Sequence, residues 1–144
     1  MITIENKYGT FELKFLYTHN EHDNELVYSV YQNGNCIGVF VTKYDYWGED
    51  EECENFVEDF GRWYLEYQLN KKFVANKTKY INRDNIIEQV EELFNIKVQH
   101  TCSDVTLTKK ICLTCVTEKY LIHFYMKKNN DIISNIIVDL RITN

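Results

Sequence analysis

The Asn33-Gly34 dipeptide is the sequence feature that most constrains the fold, because it separates two apolar segments, residues 25–32 and 35–42. A type I′ turn needs positive φ at both central residues, and Asn-Gly meets that requirement at little steric cost. Such a turn joins neighbouring antiparallel strands. The sequence therefore predicts a β-hairpin at this position.

Strand patterns occupy both ends of the chain. Apolar residues fall at the odd positions of residues 11–17, which is the period of two of a half-buried strand, and residues 2–4 are the expected partner strand. Proline, which interrupts strand pairing, is absent from the sequence. After residue 95 the predicted strands are 96–99, 104–108, 111–116, 120–127 and 132–142.

The middle of the chain predicts two amphipathic helices. Asp45 or a neighbour is expected to cap the first helix, over about 49–70. The second helix is expected over about 85–95, with Asn85 and Glu88 forming a capping box. Apolar residues at helical spacing define the buried stripe of the first helix: Cys53, Phe56, Val57, Phe60, Tyr64 and Tyr67.

This order of elements predicts an α+β fold. We expect an antiparallel β-sheet built from hairpins, β-rich N- and C-terminal parts, and the two helices packed on one face. At 144 residues the chain is predicted to form a single domain, residues 1–144. A split into two lobes near residue 75 is the alternative.

Composition places the chain among globular proteins of the cytoplasm. Apolar residues make up 44% of the sequence, which is enough for a core and too much for a disordered chain. No segment has the roughly 18 consecutive apolar residues of a membrane span. The N-terminus lacks a signal peptide, and an odd number of cysteines, five, argues against a disulfide framework. We therefore expect a cytoplasmic protein without a membrane partner.

Charge is distributed unevenly, and its extreme is the acidic segment, residues 45–60, with eight carboxylates and no basic side chain. Residues 1–70 hold 14 Asp and Glu against 4 Lys and Arg, whereas residues 71–144 hold 8 against 12. Such one-sided charge predicts an electronegative binding surface, and nearby Trp and Tyr are typical interface anchors. The predicted partner-binding residues are Tyr44, Asp45, Tyr46, Trp47, Glu49, Asp50, Glu51, Glu54, Glu58 and Asp59.

The alternative interpretation of the acidic segment is a solvated helix face without a binding role. Ordinary solvated faces mix lysine with glutamate, because like charges four residues apart repel by a few tenths of a kcal/mol. Glu54 lies four residues from both Asp50 and Glu58. This self-repulsion favours the binding interpretation.

Cysteine and histidine residues suggest a zinc site in the last third of the chain. Cys112 and Cys115 have the spacing of a ligand pair, and His100, Cys102 and His123 are further candidates. The pair lies within a predicted strand, however, where residues three apart point to opposite faces. We therefore expect buried strand thiols rather than a metal site.

Two further groups of residues suggest binding sites, one for a metal ion and one for nucleic acid. His19 and His22 lie in a polar loop, where solvent exposure is commoner than metal binding. Lysines near aromatic residues suggest a surface that binds single-stranded nucleic acid. Against this interpretation, the lysines fall at predicted turns and the whole chain is acidic. These lysines are Lys109, Lys110, Lys119, Lys127 and Lys128, near Tyr120, His123 and Tyr125.

No catalytic motif of the G-x-S-x-G, P-loop or H-E-x-x-H type occurs in the sequence. We therefore expect a non-enzymatic protein without cofactor or metal.

The absence of proline, the single alanine and the surplus of Asn, Lys, Ile, Tyr and Phe correspond to A/T-rich codons. That bias is typical of low-GC bacteria, their phages and their mobile elements.

The function that fits these patterns is a small acidic inhibitor from a phage or mobile element. It is expected to occlude the basic cleft of a host nucleic-acid-handling defence enzyme, in the manner of anti-CRISPR or anti-restriction proteins. The expected partner is thus a basic protein, such as a nuclease or a toxin, and not nucleic acid itself. The alternatives are an immunity or antitoxin protein, a metal-dependent enzyme, and a structural component of a mobile element. The oligomeric state stays open.

Overall fold

The structure is a computed structural model that describes residues 1–19, 24–105, 107, 110–127 and 130–141. Within these residues, eight strands and two α-helices follow one another along the chain, and one turn of π-helix, Asn70–Val74, continues the first helix. The elements are β1 (Ile2–Asn6), β2 (Gly9–His19), β3 (Glu25–Gln32), β4 (Asn35–Thr42), α1 (Asp50–Leu69), α2 (Arg83–Phe94), β5 (Val98–Val105), β6 (Lys110–Thr117), β7 (Tyr120–Lys127) and β8 (Asn130–Leu140).

The strands form two antiparallel four-stranded sheets, with the orders β1-β2-β3-β4 and β5-β6-β7-β8. The predicted α+β class with β-rich ends is confirmed. The chain divides into two compact units, Met1–Gly61 and Arg62–Asn144. The sequence did not indicate that the strands belong to two sheets, and the single-domain assignment stays a prediction.

The predicted hairpin is present with the predicted bounds. Asn33 has φ 54° and Gly34 has φ 81°, so both central residues adopt the left-handed backbone that a type I′ turn requires. β3 pairs with β4 up to Gln32 opposite Asn35. The local preference of Asn-Gly therefore sets this connection.

Aromatic rings fill the core of the first unit. Phe56 and Phe60 of α1 each lie 5.5 Å from Phe40 between ring centroids. Phe56 also lies 5.5 Å from Tyr28, and Phe60 lies 5.2 Å from Phe11. All four pairs are edge-to-face, the arrangement that ring quadrupoles favour. Residues 50–61 of α1 thus cover one face of the first sheet.

Val57 corrects the predicted apolar stripe of α1. Its side chain is 42% exposed, whereas its neighbour Phe56 is fully buried. The buried side of the helix instead includes Leu65 and Leu69, which the stripe omitted. A stripe at positions i, i+3 and i+4 is wide enough to contain boundary residues, and packing decides on which side of the boundary each one lies.

In the second unit, side chains of α1 bind the free edge of β8. The Glu66 carboxylate accepts a hydrogen bond from the Val138 backbone N–H at 2.9 Å, and Arg62 donates to the Val138 carbonyl at 3.0 Å. Asn70, the first residue of the π-helical turn after α1, donates to the Ile136 carbonyl at 3.0 Å. These groups take the place of a further strand, so the edge offers fewer unpaired backbone groups to another chain.

The segment after the π-helical turn pairs with the other end of the same edge. Tyr80 N–H donates to the Asp131 carbonyl at 2.6 Å, and Ile133 N–H donates to the Thr78 carbonyl at 3.1 Å. Phe73, within the turn, is fully buried and lies 5.7 Å from Phe124 of β7. The connection between the helices is thereby fixed to the second sheet.

The second helix begins earlier than predicted. Asn82 is the N-cap residue, and its side-chain oxygen accepts from the Asn85 N–H at 2.7 Å. The predicted capping box at Asn85 and Glu88 is therefore wrong, because Asn85 is the recipient of the cap. The helix ends at Phe94, and its C-cap residue, Asn95, has the left-handed conformation with φ 53°.

The predicted strands 96–99 and 104–108 overlap with one continuous strand, β5, which does not include Ile96, Lys97 or Leu107. Thr106 and Thr108 lie outside the described residues. The last strand begins two residues earlier than predicted, and Ile142 lies outside the described residues. Within the described part of the chain, neither helix has the length and apolarity to cross a bilayer.

Candidate functional site

The turn before α1 depends on hydrogen bonds to Asp45. Its carboxylate accepts from the Trp47 N–H at 3.0 Å, and its carbonyl accepts from the Gly48 N–H at 3.2 Å. Glu52, in the first turn of the helix, accepts from the Asp45 N–H at 3.0 Å. Asp45 therefore forms an Asx-type turn before α1, and Glu52 of the helix holds that turn. That a neighbour of Asp45 caps the helix stays a prediction.

Two aromatic rings lie on this turn. Trp47 is 73% exposed, and its ring meets that of Tyr46 at 5.0 Å and 86°. Tyr46 in turn packs against the buried Phe56 at 5.4 Å. Tyr44 is also exposed, and its N–H donates to the Thr42 hydroxyl at 3.2 Å. Trp47 thus presents its surface to solvent from a position that the core supports.

Glu51, Glu54 and Glu58 lie on the exposed side of α1. Their spacing of three and four residues places them on one helical face. Across the ranges that the structure describes, no basic group pairs with any of these three carboxylates within 4.0 Å. They form an uncompensated negative surface, which we call the carboxylate face.

The remaining predicted site residues differ in exposure. Glu49 and Asp50 are exposed at the start of α1. Asp45 and Asp59 are half-buried, and Asp59 interacts with at least one other group of the protein. The ten predicted residues therefore form a turn that leads into the carboxylate face. Their role in binding stays a prediction.

A cavity of about 350 Å³ that no sequence pattern indicated lies in the first unit, next to this turn. Phe15 lies at one of the odd positions of β2 that were expected to be buried, yet its side chain is 51% exposed. The alternation of β2 was thus the available signal, but it predicted core rather than a cavity wall. The cavity, which we call the aromatic cavity, is lined by Met1, Ile2, Leu13, Phe15, Leu26, Tyr28, Asp45 and Trp47.

Tyr28 connects the aromatic cavity with the core. Its ring lies 5.6 Å from that of Phe15, edge to face, and the residue is almost completely buried. Burial raises the pKa of the Tyr28 hydroxyl, and the negative charge of Asp45 raises that pKa further. Asp45 therefore exerts its field at the cavity wall.

Cys112 and Cys115 of the CxxC pattern lie in a strand, β6, as predicted, and their side chains have different neighbours. Cys115 is fully buried opposite Ile122, and burial is the main cause that raises its pKa to about 12. Cys112 lies opposite Tyr125, with its Sγ 3.6 Å from the Thr114 hydroxyl. In the described residues, no group of three His, Cys, Asp or Glu side chains is arranged to hold a metal ion.

A hydrogen-bonded row crosses the second sheet. His123 Nδ1 lies 2.9 Å from the Thr114 hydroxyl, and His123 Nε2 lies 3.1 Å from the Asp139 carboxylate. The row has the order of a hydroxyl, a histidine and a carboxylate in a catalytic set. Thr114 lies in β6, which is bonded to strands on both sides, so its neighbouring backbone N–H groups are committed to the ladder rather than to an oxyanion.

The other predicted ligand groups are only partly described. His22, Lys109 and Lys128 lie outside the described residues. Lys110 and Lys127 lie opposite each other at the ends of their strands, and Lys119 lies in the turn between β6 and β7.

The chain matches no protein-family model, no curated protein and no solved structure.

Proposed function

We propose that this chain is a small acidic binding protein that occupies a basic surface of a protein partner and has no catalytic role of its own. The observation that carries the proposal is the carboxylate face, three exposed glutamates without a basic partner among the described residues. A protein under no other constraint would relieve such repulsion with interspersed lysines. The carboxylate face is best explained by a partner that supplies the missing positive charge.

Trp47 supports the same proposal. It is a large apolar side chain at 73% exposure, adjacent to the carboxylates and held by Tyr46. Interfaces concentrate their binding energy in Trp, Tyr and Arg anchors, surrounded by polar groups that contribute less. In this arrangement the carboxylates attract and orient the partner, and the turn from Tyr44 to Gly48 supplies the contact area.

A nucleic-acid-handling enzyme is the partner class that fits this surface best. Such enzymes carry basic clefts that bind phosphates, and a helix with carboxylates about 5–6 Å apart offers negative charge at a comparable spacing. The protein would then inhibit by occlusion, as expected of an anti-CRISPR or anti-restriction protein from a phage or mobile element. The A/T-rich residue usage is consistent with that origin.

The proposal is tested by affinity purification with the protein and a charge-reversed variant carrying Glu51→Lys, Glu54→Lys and Glu58→Lys. We expect the unchanged protein to retain a basic nucleic-acid-binding enzyme at low salt and to lose it at high salt, because steering by exposed charges is screened. Duplex DNA should compete for the same partner. The variant should retain none of it.

A matched control separates the position of the charges from the net charge. Glu88, Glu92 and Glu118 are exposed carboxylates outside the acidic segment, so changing all three to lysine alters the net charge by the same amount. This control should still retain the partner. Equal loss in both triple variants, or retention that does not depend on salt, would refute the proposal.

An immunity or antitoxin protein would use the same surface against a basic toxin. The two roles differ in the fate of the partner, since a toxin is harmful to the cell that makes it. Expression of the captured partner alone, and then together with this protein, distinguishes them. Rescue of growth by the unchanged protein and not by the Glu51, Glu54 and Glu58 variant would favour the antitoxin role.

The row of Thr114, His123 and Asp139 favours a hydrolase as a second candidate function. In that case His123 would take the proton of the Thr114 hydroxyl, and Asp139 would stabilise the imidazolium. Hydrolysis of activated esters by the purified protein, lost in a His123→Ala variant with unchanged circular dichroism, would support it. Activity that survives the change would exclude His123 as the base.

A further inference from the structure

We propose that the aromatic cavity binds the cationic end of a lysine or arginine side chain, presented by the protein partner of the carboxylate face. This identification of the occupant rests on the proposed function, whereas the affinity of the cavity for organic cations does not. The cavity, of about 350 Å³, lies wholly within the first unit.

The lining residues have the composition of a cation site. Three of them, Phe15, Tyr28 and Trp47, are aromatic, and four others are aliphatic or Met. Asp45 is the one charged side chain among the eight. Aromatic faces attract ammonium and guanidinium groups through the ring quadrupole, and they do so most strongly where water is excluded. The apolar walls also suit the methylene stem of a lysine or arginine.

Asp45 makes a cation a better occupant than a neutral group of the same shape. One carboxylate oxygen accepts the Trp47 N–H at 3.0 Å, and no other partner for that carboxylate is present within the described ranges. A neutral apolar occupant would remove water from this carboxylate without replacing its hydrogen bonds, which is unfavourable. A guanidinium or ammonium group would supply both the charge and the donors.

The cavity wall is supported before any ligand enters. The Trp47 ring contacts Tyr46, and Tyr46 contacts the buried Phe56. Glu52 holds the turn through the Asp45 N–H at 3.0 Å. A site whose rings are already positioned loses less conformational entropy on binding. The cavity also adjoins the acidic segment, which attracts cationic groups to this part of the surface.

The test uses two pairs of blocked amino-acid amides as probes. N-acetyl-arginine amide is compared with N-acetyl-citrulline amide, its neutral isostere, and N-acetyl-lysine amide with N-acetyl-norleucine amide. Binding is followed by NMR through the indole N–H of Trp47, with that of Trp63 as an internal reference because Trp63 does not line the cavity. We expect at least one cationic probe to bind about tenfold more tightly than its neutral counterpart.

Two variants and a control complete the test. Asp45→Asn retains an oxygen that can accept the Trp47 N–H, so the turn should persist while affinity for the cation falls several-fold. Trp47→Ala changes a mostly exposed residue and should weaken binding without unfolding the protein. Because this variant lacks the indole of residue 47, its binding is followed through the backbone amide of Asp45, which also lines the cavity. Glu5→Gln, an exposed carboxylate on β1, should leave affinity unchanged. Equal binding of the cationic and neutral probes, or affinity unaffected by Asp45→Asn, would overturn the proposal.

Failure of this proposal is distinguishable from failure of the proposed function. The probes are tested in the absence of any partner, whereas the carboxylate face is tested by charge reversal at Glu51, Glu54 and Glu58. If the cavity does not prefer cationic probes while charge reversal still abolishes capture of the partner, only the proposed occupant of the cavity is refuted. If cations bind but charge reversal has no effect, only the function of the carboxylate face is wrong.

Discussion

The buried and the exposed thiols of this chain differ in accessibility, and Cys112 and Cys115 are both buried. The strand places Cys115 in a fully buried position, where burial raises its pKa to about 12. A protonated buried thiol is a poor nucleophile and a poor metal ligand. Cys36 and Cys102 are exposed. At the residue scale, accessibility therefore decides which of the five thiols can react.

The raised pKa of Cys115 predicts a loss of stability at high pH. Above pH 9.0, the usual value, the unfolded state releases this proton first, so the free energy of unfolding falls as pH rises from 9.0 toward about 12. A Cys115→Ala variant should be less stable at neutral pH but show a shallower decline. Urea unfolding across this pH range measures the slope. The exposed Cys36→Ala control should decline like the unchanged protein.

Phe56 and Val57 are neighbours in α1 whose truncation should destabilise the protein by very different amounts. Phe56→Ala removes a ring that contacts Tyr28, Phe40 and Tyr46, and we expect a cost of about 3–5 kcal/mol. Val57 is 42% exposed, so Val57→Ala should cost less than about 1 kcal/mol. Denaturant unfolding compares the two. Similar losses would place Val57 in the core, as the sequence stripe predicted.

The first and second parts of helix α1 make different kinds of contact. Residues 50–61 cover the first sheet with Phe56 and Phe60. Further along, Arg62 and Glu66 bind the backbone of β8, and so does Asn70 in the π-helical turn that follows α1. Glu66 also pairs with Arg62 at 3.3 Å. At the element scale, the helix therefore combines apolar packing with side chains that satisfy a sheet edge.

The edge contact predicts a specific effect of Glu66→Ala. The change leaves the Val138 N–H without its acceptor, at a cost of about 1–3 kcal/mol. Hydrogen exchange of the Val138 amide should accelerate, while the amides of the central strand β7 stay protected. Glu66→Gln keeps an acceptor oxygen and should preserve most of the protection. Unchanged exchange at Val138 in Glu66→Ala would contradict the role of this contact.

Charge is the property that belongs to the whole molecule. The net charge is −6, because residues 1–70 carry a net charge of −10 and residues 71–144 carry +4. Net charge of one sign favours solubility but stresses the folded state through self-repulsion. The carboxylate face concentrates this repulsion where no basic group in the described ranges balances it. Binding and stability should therefore place opposite demands on the same residues.

This conflict predicts that Glu54→Gln stabilises the free protein. Removing the charge relieves repulsion from Asp50 and Glu58 and should add a few tenths of a kcal/mol to the free energy of unfolding. Salt should stabilise the unchanged protein more than the variant, because screening relieves the same repulsion. Thermal unfolding at low and high salt measures both effects. Destabilisation by Glu54→Gln would show that Glu54 contributes to the fold.

Much of the fold could be predicted because the relevant preferences are local. Asn33-Gly34 determined a turn with positive φ, and alternating residues determined strands whose bounds agree closely for β3, β4 and β7. The acidic segment could also be placed on a helix from its periodicity. By contrast, the cap of α2 was misplaced by three residues, since Asn82 and Asn85 are both suitable caps and only the backbone of residue 82 is extended.

The sequence by itself determined the α+β class, the hairpin and the position of the acidic helix, because turns and periodic patterns depend on residues close together in the chain. Only the tertiary structure decided that there are two sheets, that Val57 is exposed and that α1 binds the edge of β8. It also decided that Phe15, Tyr28, Asp45 and Trp47 line one cavity. These features depend on contacts between residues distant in sequence, which no local pattern encodes.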